Sequence, residues 1–311
     1  MDKIPSDTIL EFNSDTLHCL RQQYDLDKPG RIEEAISLLE DWLKKQGHFK
    51  RKEFPRGYLE RTIIFRKGSV ERAKSKLDNL CTFRTLFPEI FEVFDLKNSP
   101  LLDEINAGFL PKLTSNHYRV FALKNAAKRY DNRVFDLYRY FIMLCEYIQA
   151  HDYCDGVVLL LDYSEANIVE TMKAFNIVDV RDILRVFKEG FGMRIKGIHF
   201  LTGSKAIDML VSLFKQVLSE KVGSRIKAHT TIDTVYEYIP KDILPVEYGG
   251  KEKPLIEIHR KYQEVMSSKE FTNYLTEMSI ACTDEKLRTT LNEDNNKLMG
   301  ASGTFRSLQV D

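Results

Sequence analysis

FGMRIKGIHFL at residues 191–201 and ILPVEYGG at 243–250 bracket the part of the chain whose reading decides the fold. Arg194 and Lys196 lie two apart in a run rich in Ile and Phe, so as a strand this run puts a basic pair on one face. From residue 206 to 222, Ile207, Leu210, Val211, Phe214, Val217 and Leu218 recur at the period of an amphipathic helix, and Leu213 widens its apolar face. Lys221 and Arg225 follow four apart in SEKVGSRI, on one side of that helix's end. Two basic pairs thus flank one apolar helix. Periodicity alone reads the stripe as a core face, the cations as solvated surface and His199, between Ile198 and Phe200, as a hydrogen-bonded core histidine.

The rest of the chain sets the limits. With 311 residues, 43% hydrophobic and 11% aromatic, it can bury a sizeable core. Forty-six basic residues balance 46 acidic ones, so no overall field draws it to nucleic acid, and an anionic partner must be met by a local patch. Cys19, Cys81, Cys145, Cys154 and Cys282 form no CxxC and leave an odd number, which points to a reducing, cytoplasmic setting. The start MDKIPSDTILEFNSD lacks an apolar signal region, and the longest purely apolar run, Val157 to Leu161, is too short to span a bilayer.

The spacing predicts a helix over 31–46, a basic connector HFKRKEFPRG, a further stretch to Arg66, and a helix capped by Ser69 that runs toward Phe87-Pro88. From residue 117 the grammar changes: HYRVFAL reads as a strand, 132–149 as a long helix and GVVLLLD at 156–162 as a buried strand. Helices near 165–175 and 180–189, the strand 196–201 and a last strand near 226–232 continue the alternation, which implies a mainly parallel sheet. Helix-like stretches at 255–266 and 269–278 precede a polar tail. The expected division is a helical region at 1–95, an α/β domain at 96–252 and C-terminal helices and tail at 253–311.

Phosphate-loop, dinucleotide, zinc-protease and nucleophile-elbow motifs are all missing from the sequence, so no catalytic residue, metal or cofactor is expected. Asp162 ends a strand, where a carboxylate more often caps the following turn than catalyses. The HDYCD segment at 151–155 reads as a helix-to-strand loop.

In order and spacing these segments resemble the CRAL-TRIO family, in the branch of tocopherol-transfer, retinaldehyde-binding and clavesin proteins. DWLKKQGHF and FRKGSVERAKSKLDNLCTFRTLFPEIF are similar to that family's N-terminal helices; GVVLLLD, RIKGIHF, LSEKVGSRI, ILPVEYGG and the closing GTFRSLQVD are similar to its lipid-binding domain. The resemblance implies a mixed sheet enclosing an internal hydrophobic cavity for one small hydrophobic ligand (retinoid, tocopherol, carotenoid or phospholipid), with a mobile lid helix at 206–218. It also implies a basic cleft for a phosphatidylinositol bisphosphate head group at Arg66, Arg194, Lys196, Lys221 and Arg225. Expected walls are Phe135, Ile142, Val158, Leu160, Phe187, Phe191, Ile207, Leu210, Val211, Leu213 and Phe214; which of these face inward the sequence leaves open. The reading is a monomeric cytoplasmic carrier, no enzyme, that docks transiently on phosphoinositide-bearing membranes, where head-group binding drives release. Reversing the charges of Arg194 and Lys196 should then abolish vesicle binding with thermal stability nearly unchanged.

The departures from the family pattern cluster at the lid. Gly192 stands where relatives have a proline before the basic strand, Thr202-Gly203-Ser204 replaces Asn-x-Pro, and Gln216 replaces a lid proline. Lost prolines free φ and restore donors, so the lid entry should be more flexible. The FLRxRxF signature is eroded to IIFRKGS, keeping Arg66. The alternative is a phosphoinositide-regulated adaptor with a vestigial cavity.

Overall fold

A computed structural model describes residues 3–130 and 133–288; the GTFRSLQVD segment lies outside them. In chain order the elements are α1 (Thr16–Gln23), α2 (Arg31–Lys45), α3 (Arg56–Phe65), α4 (Val70–Leu86), α5 (Pro88–Phe91), α6 (Pro100–Glu104), β1 (Ile105–Leu113), β2 (Tyr118–Asn125), α7 (Val134–His151), β3 (Gly156–Asp162), α8 (Ile168–Ala174) and α9 (Ile177–Arg185). A π-helical turn at Val186–Gly190 leads to β4 (Ile195–Leu201), α10 (Ile207–Val217), α11 (Glu220–Gly223), β5 (Ile226–His229), α12 (Leu255–Met266) and α13 (Lys269–Ser279).

The N-terminal helices form for local reasons. In α2, Glu33 and Glu34 sit in the first turn and Lys44 and Lys45 in the last, each matching the helix dipole, while Ile32, Ala35, Ile36, Leu39 and Leu43 are buried. Ser69 caps α4 by accepting from the Arg72 amide at 3.3 Å. Burying α3 on all sides takes its polar groups inside as well. Glu60 is paired there with Arg21 at 2.6 Å, and Arg84 of α4 donates to Glu146 of α7 at 2.5 Å.

The five strands lie in the order β1-β2-β3-β4-β5, the first pair antiparallel and the rest parallel. β3 is central and buried throughout, which is why GVVLLLD is apolar without alternation. β1 was not legible in the sequence, since INAGFLPKL carries a glycine and a proline. It is an edge strand, where Pro111 is tolerated within a register shift between Phe109 and Leu113. Gly108 is needed because α12 packs along β1, and a Cβ there would stand 2.8 Å from the Tyr262 ring. The ILPVEYGG motif closes a tight loop: Gly249 has φ +73°, and a Cβ on Gly250 would lie 1.8 Å from the Leu244 carbonyl oxygen. Its Tyr248 donates to Asp162 at 2.9 Å.

Candidate functional site: an apolar cavity and a basic cluster

Pleat and register put one face of β1, β2 and β3 together. Ala107 pairs with Leu123, Phe121 with Leu159 and Leu123 with Leu161, and these five residues line a cavity roofed by α7, α9 and α10. Leu137, Tyr138, Tyr140, Phe141 and Leu144 face it from α7, Val180, Ile183 and Leu184 from α9, Phe214 from α10, and Tyr163 and Phe175 from the connections. Among the described residues no wall residue is charged, and the volume is about 110 Å³. That is below the roughly 300–1,000 Å³ of ordinary small-molecule pockets.

Of the wall positions expected from the sequence, Phe214 lines this cavity. Val158 and Leu160 point to the opposite face of β3 from Leu159 and Leu161. Ile142 is buried in α7 away from the walls. Phe187 stands one layer behind, its ring 5.3 Å from Phe141, and Phe191 packs toward Phe91 at 6.4 Å. Phe135 is half-buried at the start of α7, with the Arg139 guanidinium 5.1 Å from its ring. Ile207, Leu210 and Leu213 are buried under α10 and Val211 is half-buried, while Met209 is exposed. The Phe214 and Phe200 rings meet at 5.3 Å and tie α10 to β4.

The five basic positions gather around the start of β4, with an acid among them. Arg194 donates to the Asp155 carboxylate at 2.7 Å and its carbonyl at 2.9 Å, and Lys196 reaches the other carboxylate oxygen at 2.5 Å. The Tyr24 hydroxyl also donates to Asp155, and the Arg194 guanidinium lies 5.2 Å from the Tyr24 ring centre. Arg66 of the α3–α4 connection donates to the Glu189 carbonyl at 2.7 Å, and Arg225 to the Ile195 carbonyl at 2.5 Å. Lys221 is exposed on α11, beside β4. Burial, and after it the neighbouring Arg194 and Arg72, outweigh the attraction of Glu189 and pull Arg66 down to about 10. Two donors in this cluster, Arg66 Nε and Arg194 Nη1, are buried without an acceptor among the described residues.

The HDYCD loop is therefore more than a connector. Its Asp152 forms a buried two-point pair with Arg119 at 2.7 and 2.9 Å, and its Asp155 joins the basic pair. The sequence signal was two carboxylates directly before a buried strand. Since Asp155 is buried between Arg194 and Lys196, charge reversal there would crowd three carboxylates, so the expectation of unchanged thermal stability is corrected. Gly192, at φ +72°, lies where a Cβ would be 3.1 Å from Arg66 Nε and 3.2 Å from Lys76; proline cannot adopt that φ. Lys76 is fully buried and bonded to Gln149 and Thr62, with no carboxylate paired to it among the described residues, and burial followed by Arg66 pushes it well below its usual value. Asp162 is spent on capping: it accepts from the Ser164 amide at 2.9 Å, the Ser164 hydroxyl at 2.6 Å and Tyr248. Among the described residues, the trio close enough to share a metal is Asp15, Cys19 and His117, outside the cleft and cavity.

A mixed sheet roofed on one face by helices over an uncharged cavity defines an α/β domain with an internal apolar site. Residues 104–250 match the CRAL/TRIO domain model, and residues 28–101 the model described as Pinta-like, UBA domain. Residues 104–250 thus form a CRAL-TRIO domain. It is 25% identical to the alpha-tocopherol transfer protein-like protein of Mus musculus over 231 residues, which is 72% of this chain and 66% of that one. Clavesin-1 of Xenopus laevis is 30% identical over 105 residues, 32% of this chain and 30% of that one. The solved structure of Sfh5 aligns over 87% of this chain and 99% of that one, with a TM-score of 0.48 and 15% identity. Among the described residues, no helix is long and apolar enough to cross a membrane.

Proposed function

We propose that this protein is a monomeric cytoplasmic carrier of a small hydrophobic ligand, such as a retinoid, tocopherol, carotenoid or phospholipid, held between the sheet and α7, α9 and α10. The observation that carries the reading is the uncharged cavity bounded by Leu159, Leu161, Phe141 and Phe214. Each buried methylene stabilises the bound chain by about 0.8 kcal/mol, so aliphatic and aromatic walls suffice without covalent chemistry. A volume of about 110 Å³ is too small for such a chain, so α10 must move outward to admit it. The apolar contacts to be exchanged are those of Ile207, Leu210, Leu213 and Phe214, which makes α10 the lid.

In this reading Arg66, Arg194, Lys196, Lys221 and Arg225 receive a phosphatidylinositol bisphosphate head group. The buried, unmatched Arg66 Nε and Arg194 Nη1 support an anion there, since phosphate oxygens would satisfy both. Asp155 neutralises part of the cleft and must be displaced or outcompeted. The small cavity favours a second reading, an adaptor that binds the phosphoinositide and carries no cargo. Vesicle flotation tests the cleft: wild type should float with bisphosphate-containing vesicles, and Arg66→Gln should weaken it severalfold; equal binding to phosphatidylcholine vesicles would defeat the cleft assignment.

A further inference from the structure

Three side chains of different metal-ligating chemistry converge away from the cavity. Asp15 precedes α1, Cys19 lies one turn into it and His117 stands in the turn between β1 and β2, and their ligand atoms all lie within 4.8 Å of one another. Asp15 and Cys19 already meet, the thiol donating to the carboxylate at 3.4 Å, because positions four apart share one helix face. The hairpin brings His117 to them. Its amide donates to the Thr114 carbonyl at 2.9 Å, the Asn13 side chain donates to that same carbonyl at 3.3 Å, and the ring Nδ1 lies 3.2 Å from the Thr16 hydroxyl. The imidazole is thus buried and oriented, whereas Asp15 is exposed and Cys19 half-buried, so these two can adjust toward it.

We propose that Asp15, Cys19 and His117 bind a zinc ion, with water in the fourth position. One thiolate, one imidazole and one carboxylate make a set that suits Zn²⁺ and disfavours Mg²⁺ and Ca²⁺, which take oxygen ligands. A tetrahedral zinc with bonds of about 2.0–2.3 Å sets its ligand atoms about 3.3–3.8 Å apart, so the trio closes by roughly 1 Å, within reach of the two outer side chains. Cys19 binds as the thiolate and gives its proton to solvent. With Nδ1 held by the Thr16 hydroxyl, Nε2 is the nitrogen left for the metal, and Thr16 is the positioning residue that fixes the ring. The ion would fasten α1 to the β1–β2 turn, whose His117 carbonyl accepts from the Asp155 amide at 2.8 Å. The site stands independently of the carrier reading.

The test uses the full chain, stripped of metal with a chelator and kept reduced, titrated with Co²⁺ and then Zn²⁺ and followed by absorbance, native mass spectrometry and thermal denaturation. Wild type should take up one ion per chain, show the thiolate-to-cobalt charge-transfer band, lose that band when zinc displaces cobalt, and melt at a higher temperature with zinc than without. Cys19→Ser should lose the band. His117→Asn, a residue that tolerates the φ of +56° at this position, should bind zinc at least about tenfold more weakly. Asp15→Asn, at an exposed position, should also weaken binding while leaving the metal-free melting temperature unchanged, which separates loss of a ligand from loss of the fold. A wild type that shows neither the band nor a zinc-dependent rise in melting temperature, or a band that survives Cys19→Ser, overturns the site.

Discussion

Replacing Asp155 by Asn probes the acid that pairs with both Arg194 and Lys196. Its side chain is 4% exposed and contacts Arg194 at 2.7 Å and Lys196 at 2.5 Å, whose side chains are 18% and 23% exposed. Such partly screened, charge-assisted contacts make removal cost about 1–3 kcal/mol of stability, since two cations lose their shared partner. The same change removes one negative charge from the surface that meets an anionic head group. At about 1 kcal/mol per charge near an anionic leaflet, affinity should rise about fivefold. Urea denaturation gives the first quantity, and flotation with bisphosphate-containing vesicles over a lipid titration gives the second. Stability and affinity should thus move in opposite directions. If Asp155→Asn weakens vesicle binding or leaves it unchanged while Arg194→Gln also leaves it unchanged, anion capture at this cleft is refuted.

Gly250→Ala, with a Cβ 1.8 Å from the Leu244 oxygen, should cost several kcal/mol or prevent folding, whereas Gly203→Ala, with nothing within 4 Å, should shift the thermal midpoint little; equal effects would contradict the loop geometry. His199 is pulled down to about 4 by burial, followed by His229 at 3.0 Å and Lys227. Its folded value lies below the unfolded 6.5, so its stabilising effect is full above pH 6.5 and fades as pH falls toward 4, by about 3 kcal/mol; His199→Gln should flatten that part of a stability-versus-pH curve. Ala107→Phe would add a ring to the cavity wall, costing about 1–3 kcal/mol by overpacking and abolishing uptake of a hydrophobic probe; undiminished uptake would place the ligand elsewhere.

Much of this architecture was legible because the elements announce themselves by period. α2, α4, α10 and α12 follow 3.6-residue stripes, and β3 is a continuous apolar run because both of its faces are covered. β1 was hidden, since its Gly108 and Pro111 answer to the Tyr262 ring and to its edge position, neither visible in a local window. The choice of cavity face was hidden for a simpler reason. On a strand buried on both sides, Val158 and Leu159 look alike, and only pairing with Phe121 and Leu123 decides which lines the cavity. Asp155 escaped notice because its partners, Arg194 and Lys196 at the start of β4 and Tyr24 after α1, are distant from it in sequence. The basic cluster itself was reached through the family resemblance, as 46 cations give spacing alone too many choices.

The central claim, a lipid carrier unloaded at phosphoinositide membranes, is tested most directly by native mass spectrometry of the purified full chain before and after mixing with phosphatidylinositol bisphosphate vesicles. The account predicts a stoichiometric hydrophobic adduct that disappears on contact with those vesicles and persists with phosphatidylcholine alone. A protein that shows no adduct, even after exposure to extracted lipids, and takes up only the phosphoinositide would contradict it and leave the adaptor in its place.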